Sequence, residues 1–193
     1  MADENKIFPN LRASSDDPVG GYYKYPVADL ISGKDNSMWD YLTPEQQRVV
    51  TILRNNQDLT TDTDLFSTIP QYFRNKKADA LFQQLSDDAP LNRFVPDPDA
   101  TNGDRGYYDL NKDKIFIRHD LKGTQRAGTT IHEIAHWLQG KRCANVQDEL
   151  DADSTASLII KRNPSYKRDP KYIKEKYEKN GYDIPYRPEE CSY

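Results

Sequence analysis

The sequence has few cysteines, no long apolar run and no excess of positive charge, and each of these features argues against a class of protein. Its 193 residues include only Cys143 and Cys191, too few for a scaffold held by several disulfides. It has no run of about 18 apolar residues, so we expect no membrane span. The net charge is −4, whereas nucleic-acid-binding domains are usually basic. We therefore expect no nucleic-acid partner.

Apolar residues are also scarce, because they make up 36% of the chain and 13 tyrosines contribute to that share. The mean hydropathy is −0.94. A chain of this length can bury one core but hardly two, so we expect a single domain with a modest core. The first ten residues lack an apolar stretch, which predicts no cleavable signal peptide. The expected location is soluble and cytoplasmic, with secretion or delivery without a classical signal as the alternative.

Turn-forming residues dominate the start of the chain, and periodic patterns begin after them. We expect residues 1–36 to be irregular. Thr43, Pro44 and Gln46 have the types that begin a helix: a capping threonine, a proline in the first turn and a glutamine three residues after the cap. The sequence thus predicts a helical subdomain over residues 37–95.

The second half of the chain combines a small β-element with longer helices. Two alternating runs, Tyr107–Leu110 and Lys114–Arg118, flank a polar turn and predict a β-hairpin. A helix is expected from Thr124 to Gln139, ended by Gly140, and another over residues 146–161. Several helices with one small hairpin place the chain in the α+β class.

The segment that carries chemistry is residues 131–138, IHEIAHWL, which contains a His-Glu-x-x-His motif. On a helix, His132 and His136 lie about 40° apart around the axis, so both imidazoles can bind one metal ion. Glu133 lies about 60° from His136 and can reach a metal-bound water without being a ligand. The opposite face is apolar and is expected to pack on the core. Two of only three histidines in one such motif indicate a metal site rather than a solvated helix face.

A third ligand is needed because a catalytic zinc has three protein ligands and one open position. Our candidate is Glu149, which lies 13 residues after His136 at the start of the next predicted helix. Asp153 is one turn further along the same face, where it can accept the second imidazole N–H of either histidine. Asp148 is an alternative ligand. Asp151 is a weaker alternative because it lies about 200° from Glu149 around the helix.

The two motifs together, His132-Glu133-x-x-His136 and Glu149-x-x-x-Asp153, resemble the pattern of gluzincin zinc metallopeptidases. The short spacing between them is similar to that of the compact minigluzincins. The resemblance covers about residues 105–162. It implies a single zincin-like catalytic domain over residues 37–193, with a β-hairpin or small sheet before the active-site helix. Residues 105–162 would form the metal-site core, and residues 163–193 a C-terminal helix and tail.

The resemblance also implies a reaction, the zinc-dependent hydrolysis of a peptide or amide bond by a metalloendopeptidase. One Zn²⁺ per chain would polarise the scissile carbonyl, with Glu133 as the general base toward the attacking water. The strand Lys114–Arg118 would pair with the substrate backbone. Gluzincins usually supply a side chain that stabilises the oxyanion. The candidates for that role are His119, Tyr166, Tyr172, Tyr177 and Tyr182.

Several alternatives stay open at this point. The substrate is a protein or peptide, or else a peptidoglycan cross-link, which would suit a secreted effector. The rival interpretation is a non-enzymatic binding or interaction domain with a structural or vestigial zinc site. Structural sites normally fill all four positions with protein ligands, so the intact Glu133 argues against that interpretation. Cys143 and Cys191 are a candidate disulfide, which would tie the tail to the end of the active-site helix.

Overall fold

The computed structural model describes residues 26–59, 71–92, 105–140 and 146–160. These ranges contain five α-helices, one 3₁₀ turn and a small three-stranded sheet, so the predicted α+β class is confirmed. In chain order the elements are α1 (Val27–Ser32), the 3₁₀ turn (Trp39–Tyr41), α2 (Pro44–Asn55), α3 (Gln71–Asp88), β1 (Leu91–Asn92), β2 (Gly106–Asp109), β3 (Lys114–Ile117), α4 (Gly123–Gln139) and α5 (Val146–Ile159). Within the same ranges, none of the helices is long and apolar enough to cross a bilayer.

Helix α4 is the central element of this arrangement. It packs against α3 and α5, and it also contacts α1 and the strands β2 and β3. Its apolar face is fully buried, with Ile131, Ile134 and Leu138 at 0% exposure. The sequence predicted this face. The helix that carries the His-Glu-x-x-His motif is therefore also the helix on which the core is built.

Two helix ends follow the local signals in the sequence. At the start of α2, the Thr43 hydroxyl accepts from the Gln46 amide at 3.2 Å, and the Gln46 side chain accepts from the Thr43 amide at 3.0 Å. Pro44 occupies the first turn of α2. At the end of α4, Gly140 has a left-handed φ of 62° and donates to the His136 carbonyl at 3.1 Å. Both predicted boundaries are confirmed.

The start of α4 is capped from another helix. Lys122, which precedes α4, provides no side-chain cap. Instead, the Gly123 amide donates to Asp79 at 3.0 Å, and the Thr124 amide donates to Asn75 at 3.3 Å. Both acceptors lie on α3. Two of the free N–H groups at this helix start are thus satisfied by tertiary contact, which helps to fix how α3 and α4 meet.

The segment expected to be irregular over residues 1–36 contains helix α1, so that prediction is wrong for Val27–Ser32. The short helix ends at Gly33, which has a left-handed φ of 77°. A helix of six residues has too few internal hydrogen bonds to be stable alone. Its stability must therefore come from contacts with the rest of the chain.

Those contacts are made at both ends of α1 by side chains remote in the sequence. The amides of Val27 and Ala28 each donate to the Asp151 carboxylate of α5 at 2.9 Å. At the other end, the Arg54 guanidinium of α2 donates to the Leu30 carbonyl at 2.7 Å. A carboxylate at the helix start and a cation at its end both match the helix dipole.

The sheet has the strand order β1-β3-β2, with β1 parallel and β2 antiparallel to β3. The predicted hairpin is confirmed, and Tyr107 lies opposite Phe116 with their rings stacked at 4.7 Å. The expected substrate strand, Lys114–Arg118, corresponds to β3. Because β1 pairs with Ile115 and Phe116 and β2 pairs along the other side, the middle of β3 has no free edge for a substrate, so that expectation is wrong. Within the described ranges, β2 is the antiparallel edge strand.

We predict that Gly123→Ala lowers the free energy of unfolding by about 3 kcal/mol or more. Gly123 has a φ of +54°, and a Cβ there would clash with the Asn75 side chain that caps α4. Gly33→Ala is the matched control, because Gly33 has a φ of +77° but open space around its Cβ position. The control should lose only about 1 kcal/mol. Urea denaturation measures the free energy of unfolding of both variants. Equal losses in the two variants would contradict a rigid contact between residue 123 and Asn75.

Candidate metal centre

The centre is formed where α4 and the first turns of α5 face each other. His132 and His136 lie one turn apart on α4, and their Nε2 atoms are 3.2 Å apart. Glu149 of α5 places one carboxylate oxygen 3.1 Å from His132 Nε2 and the other 3.3 Å from His136 Nε2. The donor atoms of these three residues all lie within 4.8 Å of one another. The structure thus brings together the three residues that the sequence singled out.

The spacing of the donor atoms fits a tetrahedral metal ion. Zinc bonds of about 2.0–2.1 Å at tetrahedral angles place ligand atoms about 3.3 Å from one another. The two Nε2 atoms are 3.2 Å apart, which matches that value, and each Glu149 oxygen lies near it from one of them, 3.1 Å for His132 and 3.3 Å for His136. Two imidazoles with one carboxylate are also a donor set that zinc accepts in catalytic sites. In geometry and chemistry, the residues present fit a zinc ion.

Asp153 holds the ring of His132. One of its carboxylate oxygens lies 3.0 Å from His132 Nδ1, and its side chain is only 7% exposed. When Nδ1 donates to a carboxylate, Nε2 keeps its lone pair directed at the centre. This is one of the two contacts that the sequence analysis offered for Asp153.

Glu133 follows His132 on α4 and is buried, with 6% of its surface exposed. It is outside the group of converging donor atoms. Its charge nevertheless acts on the centre, since it helps to raise the pKa of His136. The carboxylate is therefore near the donor atoms without being one of them, as a general base would need to be.

The charges of the centre are strongly coupled. Burial lowers the pKa of His136, but the hydrogen bond to Glu149 and the charges of Glu133 and Glu149 outweigh it, so the pKa is raised. Burial raises the pKa of Glu149, but hydrogen bonds from His132 and His136 outweigh it and hold that pKa far below its usual value. Glu149 is therefore ionised across the whole neutral range.

The two alternative ligands from the sequence analysis have other contacts. Asp151 points away from the centre. Its carboxylate accepts hydrogen bonds from the first two amides of α1. Asp148 is fully buried, and its backbone carbonyl accepts from the Gln139 side chain at 3.0 Å. Among the described residues, the converging donor group includes Glu149 and neither aspartate.

The oxyanion candidates are not brought to the centre by the described structure. His119 is exposed, and it precedes α4 in the turn after β3. The site lies nine residues into α4, about 14 Å along the helix axis from its start. The remaining candidates lie outside the described residues: Tyr166, Tyr172, Tyr177 and Tyr182, the cysteines Cys143 and Cys191, and the segment 163–193.

Sequence reasoning missed Gln139. Its side-chain oxygen lies 2.8 Å from Nδ1 of His136, and its residue is buried at 3% exposure. Gln139 follows His136 by three residues, so the two share a helix face. That spacing was the available signal, because a ligand histidine usually has a partner for its second nitrogen.

A scan against protein-family models, a search of curated proteins and a search of solved structures all found no match to this chain.

Proposed function

We propose that this chain is a zinc-dependent hydrolase with a zincin-like fold that cleaves peptide or amide bonds. The observation that carries the proposal is the convergence of His132, His136 and Glu149 at zinc-ligand spacing, with the buried Glu133 beside them. A helix-borne His-Glu-x-x-His motif with an acidic third donor is the arrangement of a catalytic zinc centre.

In the proposed reaction, the zinc ion and the side chains of the protein have separate roles. Bound zinc would supply a Lewis acid that polarises the scissile carbonyl and lowers the pKa of water to about 7. Glu133 takes the proton of the attacking water and passes it to the leaving amine. His132 and His136 are held by the partners of their Nδ1 atoms, so their Nε2 atoms need no reorientation during the reaction.

The number of donors favours a catalytic site over a structural one. Structural zinc sites are usually closed by four protein ligands, most often with cysteine among them. In the part of the chain that the structure describes, the converging group has three members. Three ligands leave one coordination position for water or substrate.

The corrected sheet topology supports a peptide-like substrate. The Arg118 amide, one residue after β3, donates to the Arg105 carbonyl. Ladder alternation therefore turns the N–H and C=O groups of Gly106 and Tyr108 to the outer edge of β2. A Cβ at Gly106 would be 3.0 Å from the Thr129 methyl, one turn before His132 on α4. An extended peptide paired with β2 would thus run alongside the metal-binding helix.

We predict that Glu133→Gln lowers peptide hydrolysis by at least about 100-fold, because it removes the general base. Zinc content should stay near one ion per chain, since Glu133 is not among the converging donors. The measurement compares cleavage of a proteome-derived peptide library with metal analysis of the same untagged samples. Glu45→Gln is the matched control, because Glu45 is an exposed glutamate in α2.

Two outcomes would contradict the proposal. Hydrolysis by Glu133→Gln at the wild-type rate would exclude the general-base role. Zinc that stays bound in Glu149→Ala with unchanged affinity would exclude the ligand set. The control Glu45→Gln should match the wild type in both measurements.

We also predict that zinc affinity falls as the pH decreases. The raised pKa of His136 keeps a proton on the imidazole, and zinc must displace it. Glu149 has a lowered pKa and stays ionised, so it adds no competing proton in the same range. Below the pKa of the histidine, the dissociation constant should rise about tenfold per pH unit for each proton displaced.

Competition with a chromophoric chelator between about pH 8 and about pH 6 measures this dependence. Chelator protonation is corrected with chelator-only titrations. An affinity that does not change with pH would show that no histidine proton is displaced, and the histidine ligands would have to be rejected.

A further inference from the structure

The second nitrogen of His136 meets an amide rather than a carboxylate. His136 Nδ1 is 2.8 Å from Oε1 of Gln139, which lies one turn further along α4. His132 is held differently, because its Nδ1 faces the carboxylate of Asp153 at 3.0 Å. Each histidine of the centre thus has its own partner on the side away from the other donors.

The orientation of the Gln139 amide is fixed by what lies on its other side. Its Nε2 is 3.0 Å from the Asp148 carbonyl and 3.1 Å from the Asp151 carboxylate. Both of these groups accept hydrogen bonds, so the amide nitrogen must face them. If the amide were reversed, its oxygen would face two acceptors. Oε1 therefore faces His136, and as an acceptor it requires a proton on Nδ1.

Asp151 is in turn fixed by backbone amides. The same oxygen that accepts from Gln139 also accepts from Val27 at 2.9 Å, and the other oxygen accepts from Ala28 at 2.9 Å. The carboxylate thus bridges the start of α1 and the Gln139 side chain. A chain of hydrogen bonds runs from the backbone of α1 to the ring of His136.

We propose that Gln139 is the positioning residue of His136, fixing its Nδ1–H tautomer so that Nε2 is presented to a metal. Its effect on zinc depends on the proposed function, whereas the hydrogen bond itself does not. A neutral partner suits this position because Glu133 and Glu149 already place negative charge around the ring, and the Asp151 carboxylate lies on the other side of the Gln139 amide. Another carboxylate there would add charge without a buried cation of its own.

The test uses the small number of histidines. The chain has three, so long-range ¹H–¹⁵N spectra of its imidazoles contain few signals. In the wild type we expect the Nδ1 protons of His132 and His136 to exchange slowly with water, with or without zinc. Gln139→Met keeps the length of the side chain but removes the amide. It should make the His136 proton exchange rapidly and leave that of His132 unchanged.

Two further variants show whether the effect is specific. Asp153→Ala should have the opposite pattern, with rapid exchange at His132 and slow exchange at His136. Gln125→Met is the matched control, because Gln125 is exposed on the same helix. It should leave both protons slow. If a variant instead destabilised α4 as a whole, the Nδ1 protons of both His132 and His136 would exchange rapidly in that variant.

Zinc affinity is the second readout. Gln139→Met should weaken zinc binding by about 10- to 100-fold in chelator competition, the usual effect of losing the partner of a ligand histidine. If Gln139→Met does not fold, Gln139→Ala takes its place, because it removes the amide and places no new group against Asp148 or Asp151, and it should also make the His136 proton exchange rapidly. Slow exchange of that proton in folded Gln139→Ala would overturn the proposal.

The two proposals fail in different ways. A slow His136 proton in folded Gln139→Met, or zinc affinity within about twofold of the wild type, would overturn the positioning role and leave the hydrolase proposal standing. If the wild type binds no zinc, the hydrolase proposal fails. The proton exchange of His136 would then still decide the role of Gln139.

Discussion

The burial of acidic side chains between α4 and α5 is the constraint on which the site depends. Glu133, Asp148, Asp151 and Asp153 are buried there, and Glu149 is nearly so. A buried carboxylate is costly unless hydrogen bonds or opposite charges compensate it. The compensating groups include the two histidines, the Gln139 amide and the start of α1. Meeting this requirement aligns the donor atoms, and a divalent cation between them would offset the remaining charge.

Local sequence signals account for part of this structure. The capping box of Thr43 and Gln46 and the glycine after α4 act within a few residues, so both boundaries could be predicted. Helix α1 could not be predicted, because its first amides meet Asp151, which is 124 residues away from Val27. The capping of α4 could not be predicted either, since the side chains that accept from its first amides lie more than 40 residues earlier in the sequence. Such contacts have no periodic signature.

The site could be predicted further than the fold, for a geometric reason. His132 and His136 belong to one helix, and so do Glu149 and Asp153, so helix periodicity alone determines which side chains share a face. What periodicity cannot give is strand order. Strand β1 is two residues long and lies in a loop-like sequence, yet its pairing makes β3 an interior strand. Among the described strands, the free edge therefore belongs to β2 and not to β3.

Helix α5 connects the core to the candidate metal centre, because one of its faces contacts the histidines of α4 and the other contacts α1. Glu149 and Asp153 face the histidines of α4, whereas Asp151, about 200° from Glu149, faces the start of α1. Asp151 is excluded from the ligand set because both of its carboxylate oxygens already accept hydrogen bonds elsewhere. One of those bonds comes from Gln139, which faces the ring of His136 on its other side. The same carboxylate thus holds α1 in place and orients the partner of a histidine in the candidate metal centre.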